Sequence, residues 1–337
     1  MRMNIDVLLD VKNLTTEFMI SPNLYLKAVD NVSFSVKKGE VLGIVGESGC
    51  GKTITSLSIL GLVKSDTSHV SAGEVLMKGR NLLNCSGEEL RAIRGREISI
   101  IFQEPMMALN PVLRIETQLL ESLQLQRKIS KKEGKKLAIE MLNNVGIPNP
   151  EIVALNYPHQ LSGGICQRVM IAMAMSSNPD LLIADEPTTS LDVTIQAHIL
   201  ALMQNISNNN NTGIILITHD LGIVAQMCSR VLVMYAGKIL EEAPVMEIFE
   251  EPKHPYTRGL LASVPKLGSG ITSLPYIPGN VPDLSMLPQG CKFSPRCPNA
   301  REQCHIEEQD LYRLESYQSE KRVRCFQYES LNIEKKT

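Results

Sequence analysis

EVLGIVGESGCGKT, residues 40–53, decides how the rest of the chain is read. It opens as a short β-branched, apolar run, turns through glycines, and passes into TITSLSILGLV, an amphipathic segment. Strand, glycine loop, helix is the context in which the pattern G-x-x-x-x-G-K-[ST] signifies phosphate binding. Here that pattern is filled by Gly46, Glu47, Ser48, Gly49, Cys50, Gly51, Lys52 and Thr53. Glycines let the backbone curl, so that successive N–H groups and the helix start point at an anion. Lys52 supplies a point charge for the β/γ-phosphates, and the Thr53 hydroxyl is placed to coordinate Mg²⁺.

Outward from this loop, VLLDVKNLTTEF and VDNVSFSVKKGE show partial period-two alternation, so the first hundred or so residues read as strand-rich. From about 110 to 176 the pattern turns helical, with TQLLESLQLQ and KKLAIEMLNNVGI repeating apolar residues every three to four positions. DLLIAD and GIILITHD follow as near-continuous apolar runs, which suit parallel strands covered on both faces. After VLVMYAGKILEE the chain becomes proline-rich, and a boundary is expected near residue 245.

The 337 residues are 43% apolar, enough for a large globular domain with a smaller unit beside it. A formal net charge of −2 gives no reason to expect nucleic acid as a partner. No run approaches the eighteen or so apolar residues of a membrane span, and the first residues do not read as a signal peptide. A soluble, cytosolic chain is therefore expected. The basic run QRKISKKEGKKL, residues 126–137, reads as a solvated helix face or loop, with a lipid-facing patch as the alternative.

LLIADEP, residues 181–187, is an apolar strand ending in two carboxylates. An acid at the end of a buried strand is costly unless it faces a metal or a polar cleft. Asp185 is expected to hold Mg²⁺ through water. Glu186, directed elsewhere by strand alternation, is expected to poise water against the γ-phosphate.

Between the loop and this strand lies LSGGICQR, with Leu161, Ser162, Gly163, Gly164 and Gln167. LSGG followed by Gln-Arg, ahead of a helix and then LLIADEP, resembles the signature of ATP-binding-cassette (ABC) ATPases. Gln103 in IIFQEP resembles that family's Q-loop, Ser190, Leu191 and Asp192 its D-loop, and His219 in LITHD its switch histidine. The resemblance spans about residues 7–245. It implies an α/β P-loop fold, with a RecA-like core, an antiparallel β subdomain and a helical signature subdomain over about 104–176. It also implies ATP and Mg²⁺ as ligands, with Gln103 reaching the Mg²⁺ and the attacking water, and His219 contacting the γ-phosphate and Glu186. Two such cassettes would sandwich two ATPs, each bound by one chain's phosphate loop and the other's signature. An aromatic from the N-terminal sheet usually stacks on adenine; Phe18 is the first choice by position and Tyr25 the second. Cys50, Ile165 and Cys166 depart from the commoner residues at their positions, and both thiols read as small buried side chains.

IFQEPMMALNP, EEPKHPYTRGLLASVP and the prolines before GCKFSPRCP sharpen the resemblance to the oligopeptide/dipeptide branch of ABC importers. In that branch a C-terminal extension, here 246–337, follows the cassette of 1–245. Its Cys291, Cys297, Cys304 and Cys325 are separated by five, six and twenty residues. A reducing cytosol disfavours disulfides. Zinc sites usually include close C-x₂₋₄-C pairs, absent here. Resemblance to the branch implies a [4Fe–4S] cluster, with zinc or reduced thiols as alternatives. The cysteines are expected to close an appendage separate from the ATP chemistry.

The expected function is thus the ATP-hydrolysing subunit of a di-/oligopeptide importer, peripheral on the cytoplasmic face of the membrane. Its partners would be a second, non-identical ATPase, two transmembrane permeases and an extracytoplasmic substrate-binding protein, with Met106, Met107 and Leu109 as apolar contacts to the permeases and core burial as the alternative for each. Nickel or glutathione is the alternative cargo. A non-transport ABC protein fits less well, because there is one cassette and no heptad insertion. An iron–sulfur sensor with a vestigial ATPase conflicts with intact Lys52, Asp185, Glu186 and His219.

Overall fold

The computed structural model describes residues 6–22, 24–124, 128–189, 191–264, 276–315, 317 and 319–328. Its contacts define two compact units, each assembled from separate stretches of chain. One comprises the described residues of Met1–Leu9, Ser35–Val41 and Met77–Ile217. The other comprises those of Asp10–Phe34, Leu42–Leu76 and Thr218–Thr337.

In the first unit, strand Leu181–Asp185 lies between Ile98–Ile101 and Gly213–Ile217, parallel to both. Every residue of Leu181–Asp185 and Gly213–Ile217 is buried. That is why neither run alternates: both faces of these strands are covered. The helical stretch forms Ile115–Gln124, Lys131–Asn144, Pro150–Leu155 and Gly163–Met175, where the apolar periodicity placed helices. Ser130 and Ser162 start two of them by accepting the amides of Glu133 and Ile165, donors that the helix itself cannot satisfy. Asp192 caps Val193–Asn210 in the same way.

In the second unit, residues 42–45 of strand Val41–Val45 run parallel to Arg230–Tyr235, which turns back as the antiparallel strand Lys238–Pro244. The reversal uses Ala236 (φ 44°) and Gly237 (φ 79°), both in the left-handed region that two-residue hairpin turns require. Past residue 245 the chain returns to this sheet: Arg322–Val323 pairs with Lys238–Pro244 and carries Tyr312–Arg313 beyond it.

Buried acids fasten this return. Glu242, 1% exposed, pairs with Arg230 and Arg322 and so bridges neighbouring strands. The Glu241 carboxylate accepts the backbone amides of Lys253 (2.7 Å) and His254 (2.8 Å). Lys321, fully buried, donates to the carbonyls of Glu247 and Glu251.

Candidate nucleotide site and cysteine pocket

The phosphate loop leaves strand Val41–Val45 and enters helix Lys52–Ile59. Two of its glycines, Gly46 and Gly51, are sterically required. A Cβ at Gly46 would stand 2.2 Å from the carbonyl oxygen of Met234, and one at Gly51 (φ 103°) would stand 2.5 Å from that of Ala28. Lys52 is buried, and its ammonium donates to the carbonyls of Gly46 (2.8 Å) and Glu47 (2.9 Å), so the loop closes round its own lysine. Ser48, Gly49 and Thr53 lie exposed at the loop's rim and the helix start. Cys50 is fully buried, and burial pushes its thiol pKa up, which makes it an inert packing group. His219 is exposed and lines, with Gly46 and Glu47, a cavity of about 320 Å³ in this unit. Phe18 is half-buried on strand Val7–Ser21, while Tyr25 is exposed and meets His69 edge-on at 5.5 Å.

In the other unit, Asp185 ends its strand 3% exposed. Glu186 has φ 48°, a left-handed conformation that a glutamate adopts only when its surroundings impose it. Those surroundings are visible. Its amide donates to Ile217, and the buried Gln167 amide donates to the carbonyls of Glu186 and Pro187. Thr189 Oγ1 donates to Glu186 Oε2 at 3.1 Å, and Gln103 Nε2 approaches the same oxygen at 3.4 Å. The structure therefore brings together Gln103, Gln167 and Glu186, which are far apart in sequence. Ser162, Gly163 and Gly164 form the start of the helix that carries Gln167. Leu161 is half-buried just before it. Leu191 donates to the Thr188 carbonyl, and Ser190 lies outside the described residues.

Near Gln103, Met106 and Met107 are 47% and 83% exposed, as a contact surface requires. Leu109 is only 3% exposed and belongs to the core, so it is not available to a partner as expected. The exposed apolar residue the sequence reading missed is Val112, at 76%.

Cys291, Cys297, Cys304 and Cys325 all line one pocket of the second unit, joined there by Phe293 and Arg324. Burial raises the pKa of Cys291 and Cys325 to about 11, with the neighbouring thiols adding to the shift. Among the described residues, no three His, Cys, Asp or Glu side chains converge closely enough to hold a single metal ion.

The extension is not separate from the phosphate loop. Arg296, on the turn Ser294–Arg296, forms a two-pronged ion pair with Glu47, at 2.6 and 3.0 Å. The Tyr256 hydroxyl accepts the Glu47 amide at 2.9 Å. Sequence reasoning missed Arg296, Tyr256 and Thr189. HPYT and SPR were visible as markers, but nothing local shows that their side chains reach the loop.

A phosphate loop at a strand–helix junction, an acid-tipped parallel strand and a serine-capped signature helix define a P-loop ATPase of the ATP-binding-cassette class. Residues 29–189 match the family described as ABC transporter, and residues 240–304 match the oligopeptide/dipeptide transporter C-terminal region. The chain is 48% identical to the oligopeptide transport ATP-binding protein AppD of Bacillus subtilis (strain 168), over 97% of this chain and 98% of AppD. It is 51% identical to the dipeptide transport ATP-binding protein DppD of the same bacterium, over 88% of each. Among solved structures it is similar to the dimeric ATP-binding cassette MJ0796 bound to ADP and Pi. There the TM-score is 0.64 at 28% identity, over 70% of this chain and 98% of that one. The chain belongs to the ABC transporter ATPases, in their oligopeptide/dipeptide transporter family.

Proposed function

We propose that this chain hydrolyses ATP to drive an importer of di- or oligopeptides, and that Glu186 is the base that poises the attacking water. The observation carrying this reading is the strained turn at Glu186, fixed by Gln167, Thr189 and Gln103. A glutamate whose backbone is held by Gln167 and whose carboxylate is held by Thr189 and Gln103 is pre-organised for chemistry. Lys52 is assigned to the β/γ-phosphates, with the amides of Gly46–Thr53 around them. Thr53, Asp185 and Gln103 are assigned to Mg²⁺, which would offset charge on the phosphates. His219, beside Gly46 and Glu47, is assigned to the γ-phosphate, and Phe18 to the adenine. Ser162, Gly163 and Gly164 complete a partner cassette's site, with Ser190, Leu191 and Asp192 at the junction. Glu186→Gln tests the base: nucleotide should still bind, while turnover in the assembled transporter falls by at least about a hundredfold. Turnover near wild type would remove Glu186 from that role.

Peptide cargo is inferred from the relatives' functions and from the C-terminal region shared with them. The partners proposed are a second, non-identical ATPase, two permeases and an extracytoplasmic binding protein. Among the described residues no helix is long and apolar enough to cross a membrane, so attachment to the cytoplasmic face would run through the permeases, with Met106 and Met107 at the contact.

For the four cysteines we propose a [4Fe–4S] cluster. What supports it is that four thiols line one pocket and that their sequence spacing lacks the close C-x₂₋₄-C pairs usual at zinc. Bound there, the cluster would supply a cross-link for a proline-rich segment. Anaerobically purified protein should be brown with about four irons per chain; colourless protein with stoichiometric zinc would overturn the assignment.

A further inference from the structure

Glu47 is the one acidic residue of the phosphate loop, and its carbonyl shares the Lys52 ammonium with that of Gly46. A carboxylate within roughly one Debye length, about 8 Å, of a polyphosphate opposes its binding. In this chain the opposing charge is cancelled from the extension. Both terminal nitrogens of Arg296 donate to the Glu47 carboxylate, and Nε donates to the Pro278 carbonyl at 2.9 Å. Its side chain is only 5% exposed, so the guanidinium is locked rather than sampling solvent.

The same turn belongs to the cysteine pocket. Ser294–Arg296 runs between Cys291 and Cys297, with the Ser294 amide donating to the Cys291 carbonyl and the Cys297 amide to the Ser294 carbonyl. Beneath it Tyr256, fully buried, packs on Tyr235 at 4.7 Å and on Phe293 at 5.3 Å, and its hydroxyl holds the Glu47 amide. Any change that unfolds the cysteine-rich turn therefore removes the Arg296 restraint on Glu47 and takes Phe293 away from Tyr256, the residue that holds the other.

We propose that Arg296 is a positioning residue of the phosphate loop, neutralising and fixing Glu47 so that nucleotide affinity depends on the folded extension. This rests on Gly46–Thr53 being the nucleotide site.

The test is calorimetric titration of the full chain with Mg-ADP, which avoids turnover. Arg296→Met leaves the Glu47 charge uncompensated and should weaken binding about tenfold. Arg296→Met combined with Glu47→Gln should return affinity to within about twofold of wild type, because the repelling charge is gone. A merely structural arginine would not be rescued by removing its partner. Arg296→Met within twofold of wild type, or a double variant as weak as Arg296→Met, overturns the proposal. Should Arg296→Met fail to fold, Arg296→Gln decides, since it keeps a hydrogen-bond donor for Glu47 but not the charge: binding should weaken several-fold, and affinity within twofold of wild type overturns the proposal. Lys52→Ala, run alongside, separates the two ideas. If it binds Mg-ADP like wild type, the nucleotide site itself is misassigned; if it loses binding while Arg296→Met does not, only the role of Arg296 fails.

Discussion

His254 is completely buried at the start of helix Pro255–Ala262, where its Nδ1 accepts the Tyr256 amide at 3.0 Å. Burial, with Arg258 and Arg324 facing it, lowers its pKa from 6.5 to about 3. The fold thus accepts only the neutral ring, while the unfolded chain binds a proton below about pH 6.5. The stability contribution is complete above that pH and is lost progressively as pH falls toward 3. At about 1.36 kcal/mol per pH unit, one and a half units below the unfolded value cost about 2 kcal/mol by pH 5. His254→Asn keeps an acceptor for the Tyr256 amide, since asparagine is a good cap, but does not titrate. Urea unfolding of both proteins at pH 7.5 and pH 5 gives the comparison. Wild type should lose about 2 kcal/mol more than the variant on acidification, and titrations common to both cancel. Equal losses would refute a buried neutral His254. Because Tyr256 also holds the Glu47 amide, acid weakening of this helix should loosen the phosphate loop with it.

Glu242→Ala removes the carboxylate shared by Arg230 and Arg322 and leaves Arg230 largely desolvated, so it should destabilise the second unit by about 3 kcal/mol in denaturant unfolding. A loss below about 0.5 kcal/mol would mean the pair contributes nothing net. Ser162→Arg should leave this chain's own nucleotide affinity within about twofold but cut turnover of the assembled transporter at least about tenfold, a change of ~1.4 kcal/mol in barrier. Undiminished turnover would argue against sites composed across two cassettes. Cys297→Ser should bleach anaerobic protein and weaken Mg-ADP binding several-fold, because it unfastens the turn carrying Arg296. Weakening without loss of iron would show that the turn depends on the thiol itself.

The parts legible in the sequence are those whose chemistry is local. Lys52 closes on the carbonyls of its own loop, Ser162 and Asp192 cap the helices that directly follow them, and the run Leu181–Asp185 announces its burial by lacking alternation. What escaped is non-local. Glu47 and Arg296 lie 249 residues apart, and no pattern around either one names the other. Arg322–Val323 is too short a strand to show a period, so the extension's return to the sheet had no signal. Leu109 sits beside two exposed methionines, and only the turn of the backbone after Pro105–Ala108 separates core from surface there. The left-handed turn at Glu186 was hidden too, since it is imposed by Gln167 and Thr189 rather than by the glutamate's own preference.

ATP-driven peptide uptake tests the assignment most directly. Inside-out vesicles or proteoliposomes holding the co-purified permeases, a partner ATPase and this chain should transport a labelled oligopeptide from the binding protein's side. Transport should require ATP on the face that carries this chain. With Lys52→Ala in place of the wild-type chain, uptake should fall to the level seen without ATP. Peptide uptake that proceeds undiminished with the Lys52→Ala chain, once its loss of nucleotide binding is verified, would contradict this chain's role as a motor of peptide import.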